Sequence, residues 1–140
     1  MNTESKHFRF SNLAIHENIP YFLDMTELCL NQLEVTPKDI FKLLIAVEEM
    51  IVNIVSYAYP ENTGNIEMEI SLVNDSITLI FIDEGIAFNP LKHQVDQRDL
   101  PLSERNEGGL GIILTKDFSD NLDYNRINGK NIITFKKKIR

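Results

Sequence analysis

The chain has 140 residues, of which 43% are hydrophobic and 25% are charged, as is typical of one folded domain. Its formal net charge of −7 disfavours binding to nucleic acid or to an anionic membrane, because both require a basic protein surface. A single cysteine, Cys29, excludes an internal disulfide, and no apolar run reaches membrane-spanning length. We therefore expect one cytoplasmic domain over residues 1–140.

Hydrophobic periodicity predicts an α+β fold. Thr36 and Pro37 are typical of a helix start, and Asn128-Gly129 is a strong hairpin signal. No periodicity is found between residues 84 and 107, and a loop of that length is usually functional or disordered. The pattern predicts strands over 6–15, 65–73, 76–83, 121–127 and 131–139, and helices over 19–33, 37–58 and 112–118.

Glu49 and Asn53 form a polar pair inside an apolar helical run that begins at Ile40. A spacing of four residues turns a helix by roughly 40° and rises about 6 Å, so both side chains point the same way. Burying a carboxylate and an amide is unfavourable unless something pairs with them, and a hard cation bound to phosphates is one such partner. The alternative is a polar helix edge that faces water.

Asp83 and Gly85 stand where a predicted buried strand opens into the long loop. A carboxylate at such a point is suited to accept a hydrogen bond from an exocyclic amino group such as that of adenine. A glycine beside it allows the backbone to approach a flat ligand closely. The alternative is that the segment is only a turn.

The segment Gly108–Gly111 leads into the last predicted helix. Exposed backbone N–H groups at a helix start form a ready anion site, although the glycines could equally serve only a flexible helix entry. The chain has no Gly-x-x-x-x-Gly-Lys-Ser/Thr motif, which excludes a P-loop enzyme. Its glycines follow a loop rather than a first strand, which disfavours a dinucleotide-binding fold.

Taken in order, Glu-x-x-x-Asn, Asp-x-Gly and Gly-Gly-Leu-Gly resemble the motifs of the GHKL (Bergerat) ATP-binding superfamily, which includes gyrase, MutL and sensor histidine kinases. Within it the chain is most similar to the RsbW/SpoIIAB-type anti-sigma factors, which are serine/threonine kinases. Tyr-Ala-Tyr after Asn53 and the hairpin at Gly129 support this resemblance. It implies a two-layer sandwich in which about three helices cover one face of a mostly antiparallel (mixed) sheet.

The resemblance also implies a role for each motif residue. Glu49 corresponds to the general base, and Asn53 to the ligand of a magnesium ion that bridges the phosphates. Asp83 corresponds to the residue that reads adenine, with Gly85 beside the base. The lid corresponds to residues 91–107, where Arg105 is a possible γ-phosphate contact. The phosphate-binding segment comprises Gly108, Gly109, Leu110 and Gly111.

Two of the candidate site residues depart from the pattern of the family, as does Tyr57, which replaces a frequent histidine. Ala87 replaces the second glycine of Asp-x-Gly-x-Gly, which costs on the order of 1 kcal/mol if that backbone requires a positive φ. Asn131 stands near a position where a threonine often helps to hold adenine. We retain both residues as candidates for nucleotide contact.

The predicted function is that of an ATP- and Mg²⁺-dependent protein serine/threonine kinase. By resemblance its substrate is a STAS-domain anti-sigma antagonist, a sigma factor is a possible second partner, and the chain forms a homodimer. The alternative function is a nucleotide-gated protein-binding module with little or no kinase turnover. A third and weaker alternative is a simple ATPase, in which water replaces the serine.

Overall fold

The computed structural model describes residues 6–93 and 107–139 of the chain. The predicted α+β class is confirmed. Within the described ranges, no helix is long and apolar enough to span a membrane. The strands are β1 (Lys6–Leu13), β2 (Asn65–Val73), β3 (Ser76–Asp83), β4 (Asn121–Ile127) and β5 (Lys130–Lys138), and the helices are α1 (Ile19–Gln32), α2 (Pro37–Tyr57), α3 (Pro90–His93) and α4 (Glu107–Phe118).

The five strands form one sheet in the order β1-β2-β3-β5-β4, so that β1 and β4 are its edges. Each of the four neighbouring pairs is antiparallel, so the sheet, expected to be mostly antiparallel, is antiparallel throughout. Two-residue turns join β2 to β3 and β4 to β5, at Asn74-Asp75 and Asn128-Gly129. All four turn residues have a positive φ, between 50° and 77°, as tight hairpin turns require.

The core lies between one face of the sheet and the helices. Along β3, Ile77, Leu79 and Phe81 are buried and alternate with less buried residues, because successive side chains of a strand point to opposite faces. Helix α2 lies in the middle of the helical layer and packs against both α1 and α4. This central place brings the polar residues of α2 close to the other two motifs.

Local chemistry explains where α2 begins. The Thr36 side chain accepts a hydrogen bond from the Asp39 backbone N–H at 3.3 Å, and Pro37 occupies the first helical position, where no N–H is needed. The helix ends at Tyr57, three residues before Pro60 and one residue before its predicted end.

Two helical boundaries differ from the sequence predictions. Pro90–His93 forms the single turn α3 within the segment that was predicted to be a loop, and one turn is too short to show a helical period. Helix α4 begins at Glu107 rather than near Ile112, so the glycine-rich segment lies inside the helix instead of before it.

Candidate nucleotide-binding site

Glu49 and Asn53 lie on the buried side of α2, with only 6% and 3% of their surfaces exposed. The Asn53 side-chain nitrogen donates a hydrogen bond of 2.7 Å to the Glu49 backbone carbonyl, which fixes the orientation of the amide. The neighbouring Glu48 is exposed, as its different direction on the helix requires. The interpretation of the pair as a polar edge facing water is therefore wrong.

The Glu49 carboxylate carries an unsatisfied oxygen. Among the described residues, Oε1 of Glu49 is the one buried side-chain polar atom without a hydrogen-bond partner. Burial raises the pKa of this carboxyl to about 7, although the Asn53 side chain and the Ile112 backbone lower it. A buried acceptor without a donor is costly in a fold unless a ligand or a reaction uses it.

Gly111 brings the glycine-rich segment to Glu49. A Cβ atom placed on Gly111 would lie 2.7 Å from both Cδ and Oε2 of Glu49, so only a glycine leaves room for the carboxylate. Gly108, Gly109 and Leu110 form the backbone of the first turn of α4, where N–H groups have no partner within the helix. The first and third motifs therefore meet at the start of α4.

The Asp83 side chain is 3% exposed and is held by two donors. The Gly85 backbone N–H and the Asn131 side-chain nitrogen donate to Oδ1, at 2.9 Å and 2.8 Å. Within the described residues, every hydrogen bond of this carboxylate ends on Oδ1. Burial raises the pKa of Asp83, while these two hydrogen bonds and the charge of Arg126 lower it. One oxygen, Oδ1, is therefore fixed by two donors, and Oδ2 accepts no hydrogen bond from the described residues.

Gly85 attaches the loop after β3 to the end of α2. A Cβ atom on Gly85 would stand 2.2 Å from the Ala58 carbonyl oxygen, and the Ile86 N–H donates to that same oxygen at 2.8 Å. The close approach expected at Gly85 is thus an approach to protein backbone. Because Ala58 is the C-cap of α2, Asp83 lies next to the helix that carries Glu49 and Asn53.

Asn131 occupies the centre of a hydrogen-bond network. Its side-chain nitrogen also donates to the Ile86 carbonyl at 2.7 Å, and its side-chain oxygen accepts from the Tyr124 hydroxyl and from the Phe88 N–H. Asn131 is 1% exposed. Its hydrogen bonds connect β4, β5 and the loop after Asp83, a role that the sequence alone did not predict.

Sequence reasoning missed two residues of β4. Tyr124 contacts Asn131, and the Arg126 guanidinium donates to the Gly85 carbonyl at 2.7 Å. Their spacing of two residues on a strand, which puts both on one face of the sheet, was the available signal. Arg105 and residues 94–106 of the predicted lid lie outside the described residues.

Ala87 is exposed and its φ is not positive, since the described non-glycine residues with positive φ are Glu34, Asn74, Asp75 and Asn128. The expected cost of replacing a glycine here is therefore absent. Nothing in the conformation of this residue requires the second glycine of the motif.

A family model described as the histidine kinase-like ATPase domain matches residues 14–137. The chain belongs to this family. The match includes all of the residues that form the network described above. It confirms the resemblance on which the sequence interpretation depended.

Curated proteins that are similar in sequence to this chain carry the name serine-protein kinase RsbW. One from Bacillus cereus is 31% identical over 102 residues, which are 70% of this chain and 64% of that protein. One from Bacillus mycoides is 30% identical over 102 residues, with the same coverage. The chain thus spans somewhat less than two thirds of the length of these relatives.

Solved structures of low sequence identity share the fold of this ATPase domain. The RsbU and RsbW domains of a Mycobacterium tuberculosis protein align with a TM-score of 0.69 at 14% identity, over 96% of this chain and 32% of that one. The histidine kinase domain of a blue-light activated kinase from Erythrobacter litoralis aligns with a TM-score of 0.56 at 14% identity, over 86% of this chain and 61% of that one. At these identities the likeness extends to the fold alone.

Proposed function

We propose that this chain is an ATP-dependent protein serine/threonine kinase. The observation that carries the proposal is the buried Glu49 carboxylate, whose Oε1 lacks a partner among the described residues and whose pKa is raised to about 7. A general base works best when its pKa lies near the pH at which it operates. A polar helix edge would require neither burial nor such a shift.

The three motifs supply the parts of a nucleotide site. Asp83 would accept a hydrogen bond from the exocyclic amino group of adenine through the oxygen that Gly85 and Asn131 leave unbound. The phosphates would meet the N–H groups of the first turn of α4, where the helix dipole also favours negative charge. Arg105 and Ala87 remain proposed contacts of the nucleotide.

The residues present fit a magnesium ion held mainly by phosphate oxygens. Within the described ranges, no three His, Cys, Asp or Glu side chains group together as a metal site, whereas the amide of Asn53 is buried beside Glu49. Magnesium usually binds to substrate phosphates and to only one or two protein oxygens. Asn53 would supply that oxygen, and the ion would neutralise phosphate charge when bound.

The proposed reaction uses Glu49 as the proton acceptor. As a serine or threonine hydroxyl oxygen forms its bond to the γ-phosphorus, the bond between that phosphorus and the β–γ bridging oxygen breaks. The hydroxyl proton passes to Glu49, and ADP leaves with the electron pair of the broken bond. Phosphoryl transfer requires mainly positioning and charge neutralisation, which the other motif residues provide.

The proposed substrate is a STAS-domain anti-sigma antagonist, and a sigma factor is the second proposed partner. The name serine-protein kinase RsbW of the curated relatives supports this choice. A homodimer is proposed from the family resemblance alone.

The experiment is incubation with magnesium, γ-labelled ATP and the STAS-domain protein encoded nearby, followed by location of the label. Label should appear on a serine or threonine with the wild-type chain and should be lost with Glu49→Gln. Glu48→Gln, which changes the exposed neighbour, should keep the activity. If the wild-type chain binds ATP yet transfers no phosphate, the nucleotide-gated binding module is the correct function.

A further inference from the structure

The edge strand β4 sends two side chains to the loop that follows Asp83. The Arg126 guanidinium donates to the Gly85 carbonyl at 2.7 Å, and the Tyr124 hydroxyl donates to the Asn131 side-chain oxygen. Asn131 in turn donates to Asp83 Oδ1 and to the Ile86 carbonyl. Strand β4 is therefore connected to both residues that donate to Oδ1, namely to Asn131 through Tyr124 and to Gly85 through Arg126.

Arg126, although exposed, binds a backbone carbonyl rather than a carboxylate. Within residues 6–93 and 107–139 it forms no ion pair, and its hydrogen bond goes to a backbone carbonyl. Arg9, on the opposite edge strand, instead pairs with Glu67 and Glu69 at 3.1 Å and 3.5 Å. The contrast shows that Arg126 holds a loop, whereas Arg9 belongs to a surface charge network.

Arg126 is one of several contacts that hold this loop, in which the Glu84 N–H also donates to the Tyr59 hydroxyl at 2.8 Å. On the α2 side, Gly85 packs against Ala58 and the Ile86 N–H donates to the Ala58 carbonyl at 2.8 Å. On the β4 side, the Gly85 carbonyl is fixed by Arg126. Since the Gly85 N–H donates to Asp83, rotation of this peptide segment would also move the donor that orients the carboxylate.

We propose that Arg126 is a positioning residue that sets the selectivity of the nucleotide site for adenine, by clamping the Gly85 carbonyl so that Asp83 presents its free oxygen in one direction. Tyr124 assists from the same strand by orienting Asn131. The inference rests on the proposed function, because it assigns Asp83 to the base of the nucleotide. Arg126 itself need not touch the ligand.

The test compares the affinities of two nucleotides with magnesium, ATP and inosine triphosphate, which has a carbonyl in place of the exocyclic amino group. The wild-type chain should prefer ATP. Arg126→Met should weaken ATP binding roughly tenfold and lower the ratio of the two affinities, because a hydrogen bond from a charged donor is lost. Arg126→Lys, which keeps the charge, should restore part of the ratio.

Arg9→Met is the matched control, since it removes an arginine from the other edge strand, and its ratio should equal that of the wild-type chain. Tyr124→Phe removes one hydroxyl with little risk to folding and should also lower the ratio. If the wild-type chain binds no ATP, the proposed function fails. If the wild-type chain prefers ATP and both β4 variants keep that preference, only the positioning role of β4 is overturned.

Discussion

Gly111 of α4 lies directly against the carboxylate of Glu49 on α2. A Cβ atom at position 111 would be 2.7 Å from Cδ and Oε2 of Glu49, and 3.0 Å from Cγ. Because the carboxylate is buried, it has little space into which it could retreat. The Glu49 carboxylate, the proposed base, can therefore occupy this position because residue 111 has no side chain.

Gly111→Ala should displace the Glu49 carboxylate and strongly reduce phosphoryl transfer. A displacement of about 1 Å is enough to lower a rate roughly a hundredfold. Adenine binding should change much less, because Asp83 is held by other contacts. The measurement is the rate of label transfer from γ-labelled ATP beside the affinity for ATP. Leu114→Ala, which alters an exposed residue of the same helix, is the control. Unchanged transfer by Gly111→Ala would contradict this role of the contact.

Gly85→Ala should impair both nucleotide binding and folding stability. The added Cβ would stand 2.2 Å from the Ala58 carbonyl oxygen, and backbone cannot yield as a side-chain tip does. Overpacking of this kind typically costs about 1 to 3 kcal/mol. Chemical denaturation gives the loss of unfolding free energy, and titration with ATP gives the loss of affinity. A variant with wild-type stability and affinity would show that the α2–loop contact is not needed.

Ala87→Gly tests whether the departure from the family motif matters. Ala87 is exposed and its φ is not positive, so a glycine offers no conformational relief. We expect unchanged ATP affinity and a loss of about 0.4 to 1 kcal/mol in unfolding free energy, because glycine adds freedom to the unfolded chain. A clear gain of affinity in the titration would mean that the alanine does weaken the site.

Glu49→Gln should remove a pH dependence of stability. The pKa of Glu49 in the folded protein is about 7, above its ordinary value of 4.5, so the folded state retains a proton that the unfolded chain has released. Unfolding free energy contributed by this group is therefore lost as the pH rises through that interval. Without nucleotide or magnesium, the variant should be more stable than the wild type at about pH 8, by on the order of 1 to 3 kcal/mol.

At about pH 5 the two proteins should be nearly equal in stability, because Glu49 is then protonated in the folded protein. Denaturant titrations at both pH values make the comparison. Glu48→Gln, at the exposed neighbour, should keep the pH dependence but shift it slightly to lower pH, because the Glu48 charge contributes to the raised pKa of Glu49. Parallel curves for wild type and Glu49→Gln would show that the carboxylate is not buried as described.

Local sequence patterns predicted most of the fold, because strand alternation, helix capping and tight turns each depend on residues that are close together in the sequence. The alternation along β3, the Thr36 cap and the turn at Asn128 each identified an element near its observed bounds. The start of α4 was missed, since glycines are poor helix formers and no apolar period reveals a first turn.

The sequence identified candidate site residues only where they belong to a short motif. Glu49, Asn53 and Asp83, which the motifs singled out, are buried, and their roles toward a nucleotide stay predictions. The contacts of Tyr124 and Arg126 depend on how β4 pairs with β5, where Arg126 lies opposite Asn131. The spacing of Tyr124 and Arg126 predicts that both lie on one face of the sheet, but it does not reveal which residues of other elements they contact.

Calorimetric titration of ATP with magnesium into the wild-type chain and Asp83→Asn is the most direct test of the whole account. Saturable binding of about one nucleotide per chain is predicted for the wild type. The variant should bind at least about tenfold more weakly, because its amide presents a donor where adenine also presents one. Absence of binding to the wild-type chain, or equal affinity in Asp83→Asn, would contradict the assignment of this site to an adenine nucleotide.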